Sequence, residues 1–330
     1  MSAELSPPRW FVDNEAAAPT SGQLIHDGVA LRWFRWGPAQ GPPLVLVHGA
    51  AANHAWWSPI APLLAERGPV VAMELSGMGD SGWREDGYLI EQWADEVSAV
   101  LAAACPGADI SGQAVLVGHS LGASVAAAAA VRQPQQWAQV VLCDLGLAPQ
   151  RGRRTAAVPS VPTTRAARVA RHFTNRILYR DQSEALAHFS LVPRQPCPNP
   201  WMIDHVARHS VRPVGPGGVG DQTRPPAGEE IGWSWKFDWR LFARRSDRPL
   251  MDYLSELGRW AHTPNERPAV ICLNGALSRV ATAEVADRIT ELAVPNRTVW
   301  VADAAHHLML DQPLAFVSAL RDCGAVPSSW

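Results

Sequence analysis

The chain has 330 residues, 47% of them apolar, which suffices for one large α/β domain carrying an insertion, or for two small ones, and excludes general disorder. Its formal net charge of −2 gives nucleic acid and anionic membrane no electrostatic footing as partners, and leaves a small molecule as the expected one. Lys236 is the only lysine, a composition we read as codon bias before function.

Met1 to Thr20 has no charged start followed by an apolar stretch, so no secretory signal is read there. Gln23 to Trp36 alternates apolar and polar residues around His26-Asp27-Gly28, which predicts a hairpin, because Asp-Gly supplies the positive φ of a tight turn. Pro43 to Val47 is a short apolar run of β type that ends in His48-Gly49. Ser58 to Glu66 reads as a helix, Val70 to Met73 as a strand and Leu89 to Ala104 as a helix. Ala114 to Val117 and Val140 to Cys143 read as strands on either side of an alanine-rich helix from Leu121 to Arg132. Near the end the rhythm returns: strand Ala269 to Leu273, helix Thr282 to Leu292, strand Thr298 to Val301 and helix Pro313 to Leu320. Strands apolar on both faces, alternating with helices, predict a mostly parallel sheet covered on both sides.

Between these blocks lies Gly146 to Ala261, with 18 Arg and Lys against 10 Asp and Glu and no β rhythm. Thr164 to Arg180 is a candidate helix. Asn199-Pro200 reads as a helix start leading to about Ser210, and Arg212 to Gly228 as a Pro/Gly-rich loop. The segment is expected to be a mainly helical cap inserted after the sixth strand, dividing the chain into 1–145, 146–261 and 262–330. The five cysteines are odd in number and lack metal-ligand spacing, and no apolar run is long enough to cross a bilayer. Free thiols, a cytoplasmic location, no cofactor and no metal are therefore expected.

Gly118-His119-Ser120-Leu121-Gly122 follows a strand and precedes a helix. A G-x-S-x-G at such a turn forces a sharp backbone that lifts the serine Oγ above the sheet edge, while the helix N-terminus offers amides to a developing oxyanion. Ser120 is the candidate nucleophile. Acyl transfer needs two converging N–H donors, one from Leu121 and one from the loop after His48-Gly49, with Ala50 preferred and Ala51 as the other option. His48 is read as structural. Either of the adjacent His306 and His307, in the loop after the last strand, is a candidate base.

The elbow, the His48-Gly49 loop, Leu75 to Gly82 and His306 to Pro313 together resemble the α/β-hydrolase superfamily over everything outside the insert. The resemblance implies that fold, a serine–acid–histidine chain order, and His306 as base from its spacing to Pro313. It also exposes a departure. The acid usually follows the strand after the cap, but the sequence there is Gly275-Ala276-Leu277-Ser278. Some members of the superfamily carry the acid one strand earlier, where Asp144 stands, with Glu284 and Asp303 in reserve. Ser120 sets the chain apart from the aspartate-nucleophile relatives, and Ala50-Ala51-Ala52 from those with an H-G-G-P-G loop. Hydrolysis of an ester, lactone or thioester is expected, with C–C hydrolysis, acyl transfer and a non-catalytic ligand-binding homologue as alternatives. Trp57, His119, Trp233 and Trp235 are expected to face a bulky or aromatic substrate.

Overall fold

The structure, a computed structural model, describes residues 6–66, 68–107, 112–147, 178–218, 225–226, 228–243, 246–260 and 268–325. Arg9–Glu15 (α1) leads into the hairpin Thr20–His26 (β1) and Val29–Trp36 (β2). Asp27 and Gly28 turn it with φ of 47° and 73°. There follow Leu44–Val47 (β3), Ala61–Leu64 (α2), Val70–Glu74 (β4), Ile90–Ala104 (α3), Ala114–His119 (β5), Leu121–Arg132 (α4) and Trp137–Cys143 (β6). The insert contributes Gln182–Ala187 (α5), Pro200–His209 (α6), Val211–Val214 (β7), Gly232–Trp235 (β8) and Leu250–Trp260 (α7). Ala269–Gly275 (β9), Ala283–Ala293 (α8), Arg297–Val301 (β10), Leu308–Asp311 (α9) and Pro313–Asp322 (α10) complete the order.

Eight strands form one sheet in the order β1-β2-β4-β3-β5-β6-β9-β10. The hairpin strand β2 is antiparallel to both its neighbours, and every pairing from β4 to β10 is parallel. The alternation of the pleat sorts the strand residues into two cores. Val45, Val47, Val71, Met73, Leu116, Val140 and Leu142 join α3, α4, α7 and α8 on one face. Leu44, Leu46, Val70, Ala72, Val117, Val141 and Leu273 join α1, α2, α6 and α10 on the other. Burial on both faces is what makes these strands continuous apolar runs.

Four expectations need revision. Ser58 to Glu66 is no continuous helix: Pro59 and Pro62 remove backbone donors, and only Ala61–Leu64 is regular. The insert does contain strands, because β7 and β8 pair as an antiparallel ribbon with Pro213 opposite Trp233. Arg212 to Val214, expected to open a Pro/Gly-rich loop, is therefore strand. Finally, α7 packs on α4 and α8 with Tyr253, Leu254 and Leu257 in the main core, so it belongs to the core's helical layer and not to a cap. The candidate helix Thr164 to Arg180 lies outside the described residues except for its last three.

The insert is tied to the sheet domain by polar contacts. Asn199 Nδ2 donates to the carbonyls of Leu310 (2.8 Å) and Asp311 (3.0 Å). Tyr88 Oη donates to Asp238 Oδ2 at 2.8 Å, and Lys236 Nζ to Asp80 Oδ2 at 2.7 Å. Among the described residues no helix is long and apolar enough to cross a membrane.

Candidate active site

Between β5 and α4, Ser120 sits at φ 54° and ψ −114°, a conformation that L-residues adopt only when the surroundings hold it. Two glycines make the turn possible. A β-carbon on Gly118 would overlap the Gly122 carbonyl, and one on Gly122 would overlap the carbonyls of Val47 and His48. The first turn of α4 can thus lie against the end of β3, where the Gly49-Ala50-Ala51 loop begins. A β-carbon on Gly49 would stand 3.4 Å from Ser120 Cβ, so this loop adjoins the nucleophile. Ala51 also has a positive φ, 58°. Leu121 is the first residue of α4, and first-turn amides have no intrahelical acceptor. Two backbone segments with available donors therefore border Ser120, as an oxyanion requires.

His306 Nε2 stands 3.0 Å from Ser120 Oγ, and His306 Nδ1 stands 2.6 Å from Asp144 Oδ2. Asp144 follows β6 directly, at φ 47° and 0% exposed. Its Oδ1 accepts from Gly275 N–H at 2.9 Å, and its Oδ2 also accepts from Ser278 Oγ at 2.6 Å. With Nδ1–H bound to a carboxylate, the Nε2 lone pair is left facing the serine, which is the tautomer a general base needs. Gly275 allows this closeness, since a β-carbon there would overlap the Ala305 carbonyl in the loop that carries His306. Asp311 supports the same loop, accepting from Ala305 N–H at 2.8 Å and from Gln195 of the insert at 2.7 Å. Glu284 and Asp303, the reserve acids, are exposed.

The profile of the alpha/beta hydrolase family matches residues 44–320. The chain belongs to the alpha/beta hydrolase family. An esterase of Mycobacterium tuberculosis is 35% identical over 117 residues, covering 35% of this chain and 37% of that protein. A dihydrolipoyllysine-residue acetyltransferase component of the acetoin cleaving system of Pseudomonas putida is 35% identical over 130 residues, covering 39% and 34%. The chain thus spans little more than a third of the length of these curated relatives. Among solved structures, a thioesterase domain from the curacin biosynthetic pathway superposes with a TM-score of 0.67 at 21% identity, over 92% of this chain and 99% of that one. At that identity the likeness carries the fold alone.

Other expected residues of this alpha/beta hydrolase fall elsewhere. Trp57 is fully buried and packs on Phe316 in the core, so it cannot face substrate; its neighbour Trp56 lies 5.0 Å from the His307 ring. Trp56 ends the 3-10 turn His54–Trp56 and Trp57 caps it, too short an element for periodicity to tell two adjacent tryptophans apart. His119, also expected at the substrate, is buried and donates from Nε2 to the His306 carbonyl at 2.8 Å, bracing the loop of the base. Trp233 and Trp235 lie on β8; Trp235 packs near Tyr179 and Phe189, and the Trp233 backbone bridges to Tyr179. His48 donates from Nδ1 to Gly49 O (2.8 Å) and accepts from Leu75 N–H (3.3 Å), and burial carries its pKa down to about 4. It is a neutral strut under the Gly49-Ala50 loop. Burial likewise holds His119 and His307 well below the usual histidine range, with His306 adding to it in each.

The fold also makes a cluster that sequence spacing does not show. Ligand-capable atoms of His119, His306 and His307 lie within 4.8 Å of one another. His306 already serves Asp144 and Ser120, so a cation there would compete with the base. A second serine–histidine–carboxylate chain lies apart from Ser120: Ser58 Oγ is 3.0 Å from His205 Nε2, and His205 Nδ1 is 2.8 Å from Glu15 Oε1. Ser58 is not at a positive-φ elbow, and Glu15 is exposed.

Proposed function

We propose that this alpha/beta hydrolase cleaves ester, lactone or thioester bonds of small molecules through an acyl-enzyme on Ser120. One observation carries the reading: at a strained strand-to-helix turn, a serine hydroxyl faces an imidazole whose far nitrogen is bound to a buried carboxylate. As Oγ attacks the acyl carbon, His306 Nε2 takes its proton. The amides of Leu121 and Ala50 receive the developing oxyanion. His306 then returns the proton to the leaving alcohol or thiol, and the acyl group stays on Oγ. Water repeats the sequence, giving a proton to His306 and releasing the acid with Ser120 restored. Asp144 keeps Nδ1 protonated and stabilises the imidazolium.

The Trp235, Tyr179 and Phe189 cluster of the insert favours a bulky or aromatic substrate. Acyl transfer is the second reading, favoured by the acetyltransferase-component relative. It differs only in the acceptor that replaces water. The five free thiols agree with a reducing, cytoplasmic setting.

The test is labelling with a fluorophosphonate probe, followed by peptide mapping. A single modified serine, Ser120, is expected, with no label in Ser120→Ala. Label that persists on Ser58 would relocate the nucleophile, and an unreactive wild type would favour a ligand-binding homologue. Turnover of aryl esters and thioesters of increasing acyl size, with and without an alcohol acceptor, separates hydrolysis from transfer.

A further inference from the structure

The position where the acid usually stands is not idle. We infer that Ser278 is a positioning residue for the His306 base, a fixed donor that aims and tempers the Asp144 carboxylate; the inference rests on the proposed role of His306. A serine hydroxyl ordinarily rotates to suit its neighbours, since it has one proton and two lone pairs. Here both acceptor directions are taken, by Val280 N–H at 3.0 Å and Ala281 N–H at 3.1 Å. The only proton is left for Asp144 Oδ2 at 2.6 Å. That same oxygen accepts His306 Nδ1–H at 2.6 Å. The direction of the hydroxyl is therefore set by the backbone of the loop after β9, and it cannot reverse without breaking two bonds.

Two effects follow. Together with Gly275 N–H on Oδ1 and His306 Nδ1–H on Oδ2, the hydroxyl gives the carboxylate three donors and one orientation. It also draws negative charge from Oδ2, which lowers the pull of the carboxylate on His306. Without the hydroxyl, Oδ2 keeps its full negative charge for the His306 N–H and is a stronger acceptor for the imidazolium. Among the described residues, the other polar groups that meet His306 are Ser120, His119, His307 and Asp311. His119 and His307 are held neutral by burial, and the substitution leaves all four in place.

The experiment compares Ser278→Ala, Ser278→Cys and Ser278→Thr with wild type in the full chain. It reads the pH profile of kcat/KM on an aryl ester and, independently of turnover, the proton NMR resonance and titration of His306 Nδ1–H. Ser278→Ala is expected to raise the acid-limb midpoint by about half a pH unit or more and to lower kcat roughly tenfold. Ser278→Thr should restore both, and Ser278→Cys, with its weak S–H donor, should fall between. If Ser278→Ala does not fold, the Cys and Thr variants carry the comparison. An unmoved midpoint and resonance in a folded Ala or Cys variant would overturn the role, even with a lowered melting temperature. A moved resonance in a protein that hydrolyses no ester would keep the positioning role and sink the ester reading.

Discussion

Asp144→Asn tests the site most directly, because the three donors around the carboxylate dictate how an amide must sit. Asp144 accepts Gly275 N–H on Oδ1 and both Ser278 Oγ–H and His306 Nδ1–H on Oδ2. An asparagine offers one acceptor and one NH2. With its oxygen at the Oδ2 place it keeps two of the bonds and sets NH2 against Gly275 N–H. Reversed, NH2 meets the Ser278 hydroxyl, which its backbone partners fix as a donor, and His306 must also change tautomer. Each unmet buried group costs about 1–3 kcal/mol, so the first orientation prevails. His306 then keeps its tautomer but loses the charge that stabilises its imidazolium. Unit charges about 4 Å apart at an effective dielectric of about 20 interact by about 4 kcal/mol, close to three orders of magnitude in rate. Stopped-assay kcat on an aryl ester should therefore fall about a thousandfold. Circular dichroism should show a folded protein. A folded variant that loses less than about tenfold in kcat would refute the assignment of Asp144.

His306→Ala should abolish esterase turnover while His307→Ala keeps most of kcat and lowers the melting temperature, because His307 is packed among Trp56, His119 and His306; kcat and melting curves on both variants check the ranking. Gly122→Ala should lose both stability and fluorophosphonate labelling, since its β-carbon would push α4 away from Val47 and His48; urea titration and labelling read the two effects, and a wild-type result in either would contradict the clash. Acid should destabilise the fold well before the carboxylates titrate. His48 is carried from 6.5 to about 4 by burial, and His119, His205, His209 and His307 are also lowered, each first by burial. Unfolding then takes up protons, so stability is complete above about pH 6.5 and is lost as pH falls toward 4, by about 3 kcal/mol for His48 alone. Glu96 and Asp311, raised by burial, act in the opposite sense and offset part of the loss. Urea unfolding at pH 7 and pH 5 measures the difference, and equal stabilities would refute it.

The inner strands β3, β4, β5 and β9 and the end of β6 are legible because they are buried on both faces, whereas the largely exposed β1 is legible from the alternation of the hairpin and its Asp27-Gly28 turn. The insert was harder for identifiable reasons. Val211–Val214 holds Pro213, a residue that argues against a strand unless the strand lies at an edge, as it does in a two-stranded ribbon. Leu250–Trp260 was legible in principle, since Leu250, Tyr253, Leu254 and Leu257 share one face at helical spacing. What the sequence does not carry is the destination of that face, which is α4 and α8 rather than the rest of the insert. The partnerships of Gln195 with Asp311 and of His119 with the His306 carbonyl join residues more than a hundred positions apart, and no local pattern encodes them.

Asp144 is singled out by an absence, and the sheet explains why the absence is informative. β6 and β9 are adjacent parallel strands, with Cys143 opposite Leu273. Their C-terminal ends open on the same side as Ser120, about one strand spacing apart, so a carboxylate after either strand lies within reach of a histidine arriving from the loop after β10. Asp144 leaves its strand at φ 47°, a left-handed turn that aspartate tolerates better than most residues, and its amide is held by the Leu273 carbonyl at 2.9 Å. That turn directs the side chain across the end of β9, against Gly275 N–H and the Ser278 hydroxyl. The two positions are therefore one electrostatic unit. Two carboxylates there would share a proton, since like charges in one buried site cannot both ionise. A carboxylate with a hydroxyl keeps a single charge and gives it a donor. With Asp144 bound to His306 Nδ1, a small neutral donor at 278 satisfies the geometry where a second carboxylate would not.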